Sequence, residues 1–140
     1  MAGLTLRIIT PEAVVLDEVV DSVSVTATDG SMGIHPRHAG MVAALDAGEL
    51  CYKKSGDEQT LFIAGGFAEV RGDTVRVLTA AGERWDVIDE ERAREAEKRA
   101  RERLDMSKES SQRDAVDMVR ARASLQRALA RIKLHSRRSR

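Results

Sequence analysis

The pattern of the chain changes abruptly at Trp85. Before it, short segments of β-branched and apolar residues alternate with turn residues, which is typical of strands. After it, residues 89–104 contain no Gly or Pro and are rich in Ala, Glu, Lys and Arg, which are good helix formers. The sequence therefore predicts an α+β fold, with an N-terminal antiparallel β-sandwich over residues 1–86 and a C-terminal antiparallel two-helix hairpin with a basic tail over residues 87–140.

Short strand patterns and turn signals account for most of the first part. Strands are predicted at Leu4–Ile9, Val19–Thr28, Leu61–Ala64 and Thr74–Leu78. Turns are predicted at Thr10-Pro11, Asp29-Gly30, Ser55-Gly56-Asp57 and Arg71-Gly72-Asp73. Strands this short need two packed layers, so the spacing favours an antiparallel sandwich or barrel. Gly65-Gly66 inside a strand pattern indicates a bulge or a close approach of two backbones.

Two helices with small apolar faces are predicted after Trp85. We expect Asp89 to cap the first helix, a polar turn over residues 105–111 and a second helix over residues 112–134. The apolar faces consist of Ala93, Ala96, Ala100 and Leu104 on the first helix and Ala115, Met118, Ala121, Leu125, Ala128 and Ile132 on the second. Because alanine contacts bury little area, we expect a hairpin of modest stability that docks conditionally. A static two-helix appendage is the alternative.

Charge divides along the same boundary. Residues 1–86 carry 7 Lys/Arg against 13 Asp/Glu, a net charge of −6, and residues 87–140 carry 16 against 10, a net charge of +6. Opposite charges indicate two modules with different partners, or one module that folds back on the other. Solvated helix faces would explain the same numbers.

No set of residues predicts catalysis or a metal site. Cys51 is the sole cysteine, so no intramolecular disulfide can form, and we interpret it as a small core residue. His35 and His38 flank Pro36, but a zinc site needs three or four ligands. The chain has no Gly-rich phosphate loop, Ser-His-Asp arrangement or poised carboxylate pair. We therefore expect a protein that is not an enzyme by itself and requires no cofactor.

No apolar run approaches the roughly 20 residues that a helix needs to cross a bilayer. Residues 1–9 also lack a signal-peptide pattern. We therefore expect a soluble and unprocessed protein.

Three stretches, in this order, resemble the epsilon subunit of F-type ATP synthases. They are Asp29-Gly-Ser-Met-Gly-Ile-His-Pro-Arg-His-Ala39, Ala64-Gly-Gly-Phe-Ala-Glu-Val70 and Ile88-Asp-Glu-Glu-Arg-Ala93. The resemblance spans about residues 4–134. The chain departs from the family at Arg37, Gly40 and Met41, where the family commonly has Gly, Pro and Leu, and the tail after Leu134 matches no family pattern.

The resemblance implies a non-catalytic rotor subunit of the central stalk. Such a subunit couples proton-driven rotation to ATP synthesis and inhibits ATP hydrolysis through its C-terminal helices. The implied partners are the gamma subunit, the ring of c subunits and the alpha and beta catalytic subunits, at the cytoplasmic face of a bacterial inner membrane. The residues implied to contact the rotor are Asp29, Gly30, Ser31, Met32 and His38.

Some members of that family bind a regulatory ATP in the folded hairpin. The resemblance carries that site onto Glu83, Ile88, Asp89, Arg92, Ala93, Arg99, Arg127 and Arg131. Arginines suit phosphate because their planar fork donates hydrogen bonds in pairs. Arginine is abundant throughout this segment, so a chance match stays open as the alternative.

A second hypothesis is a module whose basic helices bind nucleic acid or an acidic protein. Against it, only 3% of the residues are aromatic, which leaves little capacity for stacking on bases. The positive charge also alternates with Glu and Asp instead of forming an uninterrupted patch.

Overall fold

The computed structural model describes residues 3–107 and 115–139 of the chain. The chain divides into two compact units, Met1–Arg84 and Trp85–Arg140. The described residues of the first unit form the strands β1 (Leu4–Ile9), β2 (Val14–Val20), β3 (Ser22–Ala27), β4 (Gly30–Ile34), β5 (Met41–Lys54), β6 (Asp57–Arg71), β7 (Thr74–Leu78) and β8 (Gly82–Arg84). Those of the second form a 3-10 turn at Trp85–Val87 and the helices α1 (Glu90–Ser107) and α2 (Ala115–Arg138). The predicted fold class is confirmed.

The sandwich is one sheet folded onto itself. Its strand order is β2-β1-β7-β6-β5-β3-β4, and β8 pairs with β6 away from this path. The 14 residues of β5 and 15 residues of β6 make both strands long enough to serve both layers. Thus β6 pairs with β8 through Leu61–Ile63 and with β7 through Phe67–Arg71. All pairs are antiparallel except β1 with β7, which is parallel.

Alternating apolar residues place the core between the layers. In β1, Leu4, Leu6 and Ile8 are fully buried, and in β7 so are Val75 and Val77. Their intervening neighbours point outward because successive side chains of a strand face opposite sides. The strands predicted at Leu4–Ile9 and Thr74–Leu78 are therefore confirmed with their bounds.

Gly65 and Gly66 lie where the two halves of β6 meet. Both have positive φ, 94° and 114°, in a region that L side chains rarely adopt. A Cβ on Gly65 would lie 3.2 Å from the Leu45 carbonyl oxygen, and one on Gly66 would overlap the carbonyl oxygen of Leu78. The predicted close approach of backbones is confirmed.

Several strand predictions need correction. The single strand predicted at Val19–Thr28 is wrong, because β2 ends at Val20 and β3 begins at Ser22. The chain bends at Asp21, whose backbone N–H donates to the Lys53 carbonyl of β5 at 2.7 Å. The predicted Leu61–Ala64 segment is only part of β6. The strands β4, β5 and β8 were not predicted, and of β2 only the last two residues were.

The first helix begins as predicted and ends later. The Arg92 N–H donates to Asp89 Oδ1 at 3.0 Å, and the Ala93 N–H donates to the Asp89 carbonyl at 3.0 Å, so Asp89 caps α1 as expected. The predicted turn at residues 105–111 is wrong at its start, because α1 continues to Ser107. Residues 108–114, with the rest of that turn and the predicted start of the second helix, lie outside the described residues.

The second helix ends later than predicted. It continues past Leu134 to Arg138, so most of the predicted tail is helical. Basic residues are favourable there, because a helix C-terminus carries partial negative charge. No helix in the two described ranges is both long and apolar enough to cross a membrane.

The two helices pack along a seam of small residues. Of the predicted apolar faces, Ala93, Ala100, Ala121 and Ala128 are buried, and Ala96, Leu104, Met118, Leu125 and Ile132 are half-buried. Leu134 is also fully buried, while the side chain of Ala115 lies outside the described residues. The helices are antiparallel, since His135 near the end of α2 lies beside Glu90 at the start of α1.

Candidate functional site

The β3–β4 hairpin carries four of the five residues predicted to contact a rotor. The turn occupies Thr28 and Asp29, and β4 begins at Gly30 with φ of 133°. Asp29, Gly30 and Ser31 are exposed, whereas Met32 is half-buried and packs against the sandwich core. The hairpin thus presents a small polar tip on an apolar anchor.

His38, the fifth of these residues, lies in the loop after β4. Its backbone N–H donates to the His35 carbonyl at 3.1 Å. Its ring Nδ1 lies 2.8 Å from the Ala39 carbonyl oxygen, and because a carbonyl oxygen only accepts, Nδ1 is the donor of this hydrogen bond. The Arg37 N–H donates to Asp73 Oδ1 at 2.9 Å, which ties this loop to the β6–β7 turn. Among residues 3–107, no hydrogen bond joins His38 to the β3–β4 hairpin. No group of three or more metal-ligating side chains occurs in the described parts of the chain.

One sheet surface, here called the outer face, was not anticipated from the sequence. It comprises the outward residues of β2, β1, β7, β6 and β5, and the strand register sorts them into rows. The first row is apolar: Val14, Ile9, Leu78, Phe67 and Ala44. The second row is Asp17, Arg7, Arg76, Glu69 and Val42, and the third is Val19, Thr5, Thr74 and Arg71.

The outer face exposes an unusual amount of apolar surface. Five large hydrophobic side chains on it are between 44% and 70% exposed: Val14, Val19, Val42, Phe67 and Leu78. Of these, Val14, Leu78 and Phe67 share the first row, and an exposed apolar patch rimmed by charges marks an interaction surface. The sequence does contain a signal for this surface: in Phe67-Ala68-Glu69-Val70 an apolar residue occupies a position whose side chain faces solvent. That signal identifies a surface only when the neighbouring strands are known.

A groove at another edge of the sandwich has a polar rim. It encloses about 390 Å³ between β2 and the first half of β6, and Tyr52 forms part of its wall. Lys54 Nζ donates to Glu18 Oε2 at 3.2 Å beside it. Burial, and next the nearby charge of Glu18, raise the pKa of the Tyr52 hydroxyl.

The predicted nucleotide-site residues fall into both units. Glu83 lies half-buried in β8 of the first unit, opposite Phe62, and the other seven lie in the second unit. Ile88 and Ala93 are buried, so in this conformation they act as packing residues around the start of α1. Asp89 directs its carboxylate at its own helix as the cap.

The four predicted arginines lie beside the helix seam. With 100° per residue, Arg92 and Arg99 occupy one flank of the α1 seam, and Arg127 and Arg131 occupy a flank of the α2 seam. Because the helices are antiparallel, helical geometry puts both flanks on the same side of the hairpin. Arg127 Nη2 donates to Ser124 Oγ at 3.0 Å. The hairpin therefore collects four guanidinium groups on one side, a chemistry suited to phosphate.

Other arginines of α1 form ion pairs with glutamates of the same helix. Arg94 Nη2 lies 2.7 Å from Glu90 Oε1, and Arg101 Nε lies 3.1 Å from Glu97 Oε1, both as i,i+4 pairs. His135 Nδ1 lies 3.2 Å from Glu90 Oε2. The hydrogen bond from Arg94, followed by the charges of Arg94 and His135, lowers the pKa of the Glu90 carboxyl. These pairs break up the positive surface that nucleic-acid binding would use.

Comparison with known proteins covers both units. The model of the ATP synthase delta/epsilon chain β-sandwich domain matches residues 3–85, and that of the delta/epsilon chain long α-helix domain matches residues 86–135. An ATP synthase epsilon chain from Nitratidesulfovibrio vulgaris is 44% identical over 132 residues, which is 94% of this chain and 95% of the relative. One from Halalkalibacterium halodurans is 40% identical over 132 residues, 94% of this chain and 96% of the relative.

The fold is also found in a solved assembly. A chain in the structure of the Euglena gracilis mitochondrial ATP synthase OSCP, F1 and c-ring superposes with a TM-score of 0.76, covering 93% of this chain and 79% of that chain. Its sequence identity is 22%, so this likeness concerns the fold alone.

Proposed function

This chain belongs to the family of ATP synthase delta/epsilon chains, and from that premise we propose that its sandwich is clamped by the gamma subunit through the outer face. The chain is a non-catalytic epsilon subunit of an F-type ATP synthase. The observation that carries the proposal is the cluster of exposed apolar side chains on the outer face. A rotor component must transmit torque without slipping. Burial of these apolar side chains in a fixed interface with gamma would stabilise the attachment through the hydrophobic effect.

The second contact in this proposal is with the ring of c subunits. We assign it to the exposed tip Asp29, Gly30 and Ser31, with Met32 as its anchor and His38 in the loop that follows. A short hairpin with exposed backbone fits between polar loops of a neighbouring subunit. In this arrangement the enzyme's rotor lies at the cytoplasmic face of a bacterial membrane, and the epsilon chain is peripheral to it.

The helical pair is proposed to restrain ATP hydrolysis. The buried residues of its seam are largely alanines, and a buried alanine contributes less apolar area than a leucine, so the closed pair opens at modest cost. An opened hairpin would bring the net charge of +6 of residues 87–140 toward the catalytic subunits. The equilibrium between closed and open hairpin shifts when a partner binds one of the two states more tightly.

A regulatory ATP would bias this equilibrium. We propose that Arg92, Arg99, Arg127 and Arg131 contact the phosphates from their common side of the closed hairpin, with Asp89 holding the helix start in place. Ile88 and Ala93, which pack around the start of α1, complete the proposed set within the helical unit. Such a ligand binds only the closed pair and therefore favours it by mass action.

The first experiment measures ATP hydrolysis by an epsilon-depleted F-type catalytic complex. The full chain is compared with a version that ends at Arg84, and binding of both is established by co-elution. We expect both to bind and only the full chain to slow hydrolysis. Equal rates would remove the regulatory role of the helices, and failure of the full chain to bind a matched complex would refute the clamp.

The nucleotide proposal has its own test on the isolated full chain. ATP binding is measured by calorimetry for the wild type, for R127Q/R131Q and for R122Q, whose exposed arginine lies on the opposite flank of α2. We expect R127Q/R131Q to weaken binding at least about 10-fold, since each charge-assisted hydrogen bond contributes about 1.5–3 kcal/mol, and R122Q to bind like the wild type. Equal weakening in both variants would indicate non-specific attraction to a basic helix.

A further inference from the structure

Beside the apolar row, the outer face contains a small basic depression. It encloses about 150 Å³ and is lined by Glu69 and Arg71 of β6 and by Thr74 and Arg76 of β7. Arg71 lies opposite Thr74 and Glu69 lies opposite Arg76, so the two arginines are diagonal neighbours, roughly 7–8 Å apart at the backbone. Their side chains are exposed and face the same side of the sheet.

The charges around this depression do not cancel. Arg7, which lies opposite Arg76 on β1, forms an ion pair with Asp17 through Nε and Oδ2 at 3.3 Å. Arg71 and Arg76 have only Glu69 between them, which leaves an excess of one positive charge. This excess is notable because residues 1–86 as a whole carry a net charge of −6. Among the described residues of this acidic unit, Arg7, Arg71 and Arg76 therefore lie together at the edge of the apolar row.

We propose that this depression receives a carboxylate side chain of the gamma subunit, which lies between Arg71 and Arg76 while apolar side chains of the same partner cover Phe67 and Leu78. This inference rests on the clamp proposed above and specifies its chemistry. A guanidinium pair with a threonine hydroxyl beside it offers several donors to one carboxylate. Thr74, half-buried, supplies that hydroxyl. The pairing fixes the register of the partner on the sheet, while the apolar row supplies most of the buried area.

The depression also predicts an effect of opposite sign. Glu69 competes with the incoming carboxylate for both arginines, because it occupies the same wall of the depression. Removing its charge should therefore strengthen the complex. A substitution that merely disturbed the sheet would weaken it instead.

The test measures the dissociation constant of the full chain and an epsilon-depleted, gamma-containing catalytic complex at low and high salt. At about 50 mM salt we expect R76E to weaken binding about 10-fold and R71E/R76E about 30-fold or more, with both losses shrinking to less than about 5-fold near 500 mM because salt screens exposed charges. E69Q should bind about 2–3-fold more tightly at low salt. K53E, which reverses an exposed charge on β5 outside the outer face, is the matched control and should bind like the wild type.

The outcomes separate the two proposals. If the wild type binds and R71E/R76E binds equally well with an unchanged melting temperature, the carboxylate contact is refuted while the clamp stands. If the wild type does not bind, both fail. If the free chain forms a dimer that R71E/R76E dissociates, while its binding to the complex is unchanged, the depression belongs to self-association and this inference is overturned. R71Q/R76Q should give an intermediate loss, and a loss that does not depend on salt would also overturn it.

Discussion

Replacing Gly66 with alanine should destabilise the sandwich more than the same change at Gly65 or Gly30. The backbone at φ of 114° is restricted almost entirely to glycine, and forcing an L residue into it costs about 1–3 kcal/mol. The new Cβ would also overlap the carbonyl oxygen of Leu78 and lie 3.1 Å from the Cα of Thr79. Both neighbours are backbone, so the strands must separate.

Separation of β6 from β7 breaks the pairing of Phe67 with Leu78. A ladder hydrogen bond lost without a substitute costs about 1–3 kcal/mol, so the total is about 2–6 kcal/mol. Domains are typically stable by about 5–15 kcal/mol, and each 1 kcal/mol shifts the melting temperature of a unit this size by roughly 4–8 °C. We therefore expect Gly66→Ala to lower the melting temperature of the sandwich by at least about 8 °C.

Gly30 provides the matched control. Its φ of 133° is similarly restricted, but a Cβ there meets nothing within 4 Å. Gly30→Ala thus measures the cost of the backbone conformation alone, and the difference between the variants measures the close approach. Thermal unfolding of the full chain, followed by circular dichroism in the β-sheet region, gives both values. Equal melting temperatures for the two variants would show that the close approach of β6 to β7 at Gly66 yields without cost, and would refute the prediction.

Three further predictions concern a strained residue and two titrating groups. Arg37→Gly should raise the melting temperature by a few degrees, because glycine adopts the φ of 66° without strain and keeps the backbone hydrogen bond to Asp73. Arg37→Ala retains the strain and should leave the melting temperature unchanged. The pKa of the Tyr52 hydroxyl is raised in the folded state, chiefly by burial, so its stabilising effect is complete below pH 10 and is lost as pH rises through the folded pKa. The urea concentration at the unfolding midpoint should therefore fall between about pH 8 and about pH 11, and it should fall less for Tyr52→Phe than for the wild type. The pKa of the Glu90 carboxyl is lowered, first by the hydrogen bond from Arg94, so the stabilisation that the ionised carboxylate gives the helices is complete above the usual pKa of 4.5 and is lost as pH falls through the folded pKa. Glu90→Gln should therefore make helix content, measured by circular dichroism, less dependent on acidic pH. A helix content that depends on pH as in the wild type would contradict the pairing.

The sequence predicts those strands whose own side chains carry the pattern. Thr74–Leu78 alternates β-branched and polar residues, so its bounds could be derived locally. In contrast, β5 contains Ala43, Ala44, Ala47 and Gly48, which are poor strand formers, and it is held by pairing with β6 along nearly its whole length. Tertiary pairing overrides propensity there, and no local rule anticipates it.

The candidate sites divide in the same way. The cap at Asp89 depends on contacts within four residues and was predicted, as was the alanine seam, which depends on helical period alone. The outer face depends on which strands are neighbours and in what register, and β1 lies beside β7 although about 65 residues separate them in the chain. Phe67, Leu78 and Arg76 therefore become a surface only in the folded sheet.

The double role of β6 has a mechanical consequence. With about 3.3 Å per residue, its 15 residues extend over roughly 50 Å along the contour, less at the glycine junction. Phe67 and Glu69 of the outer face lie on one half of this strand, and the other half forms the ladder to β8, the last strand before the helical unit begins at Trp85. A force applied at the outer face is therefore passed along the backbone of β6 to its first half, where the ladders to β5 and β8 hold the strand. The strand therefore couples the outer face mechanically to β8 within the sandwich.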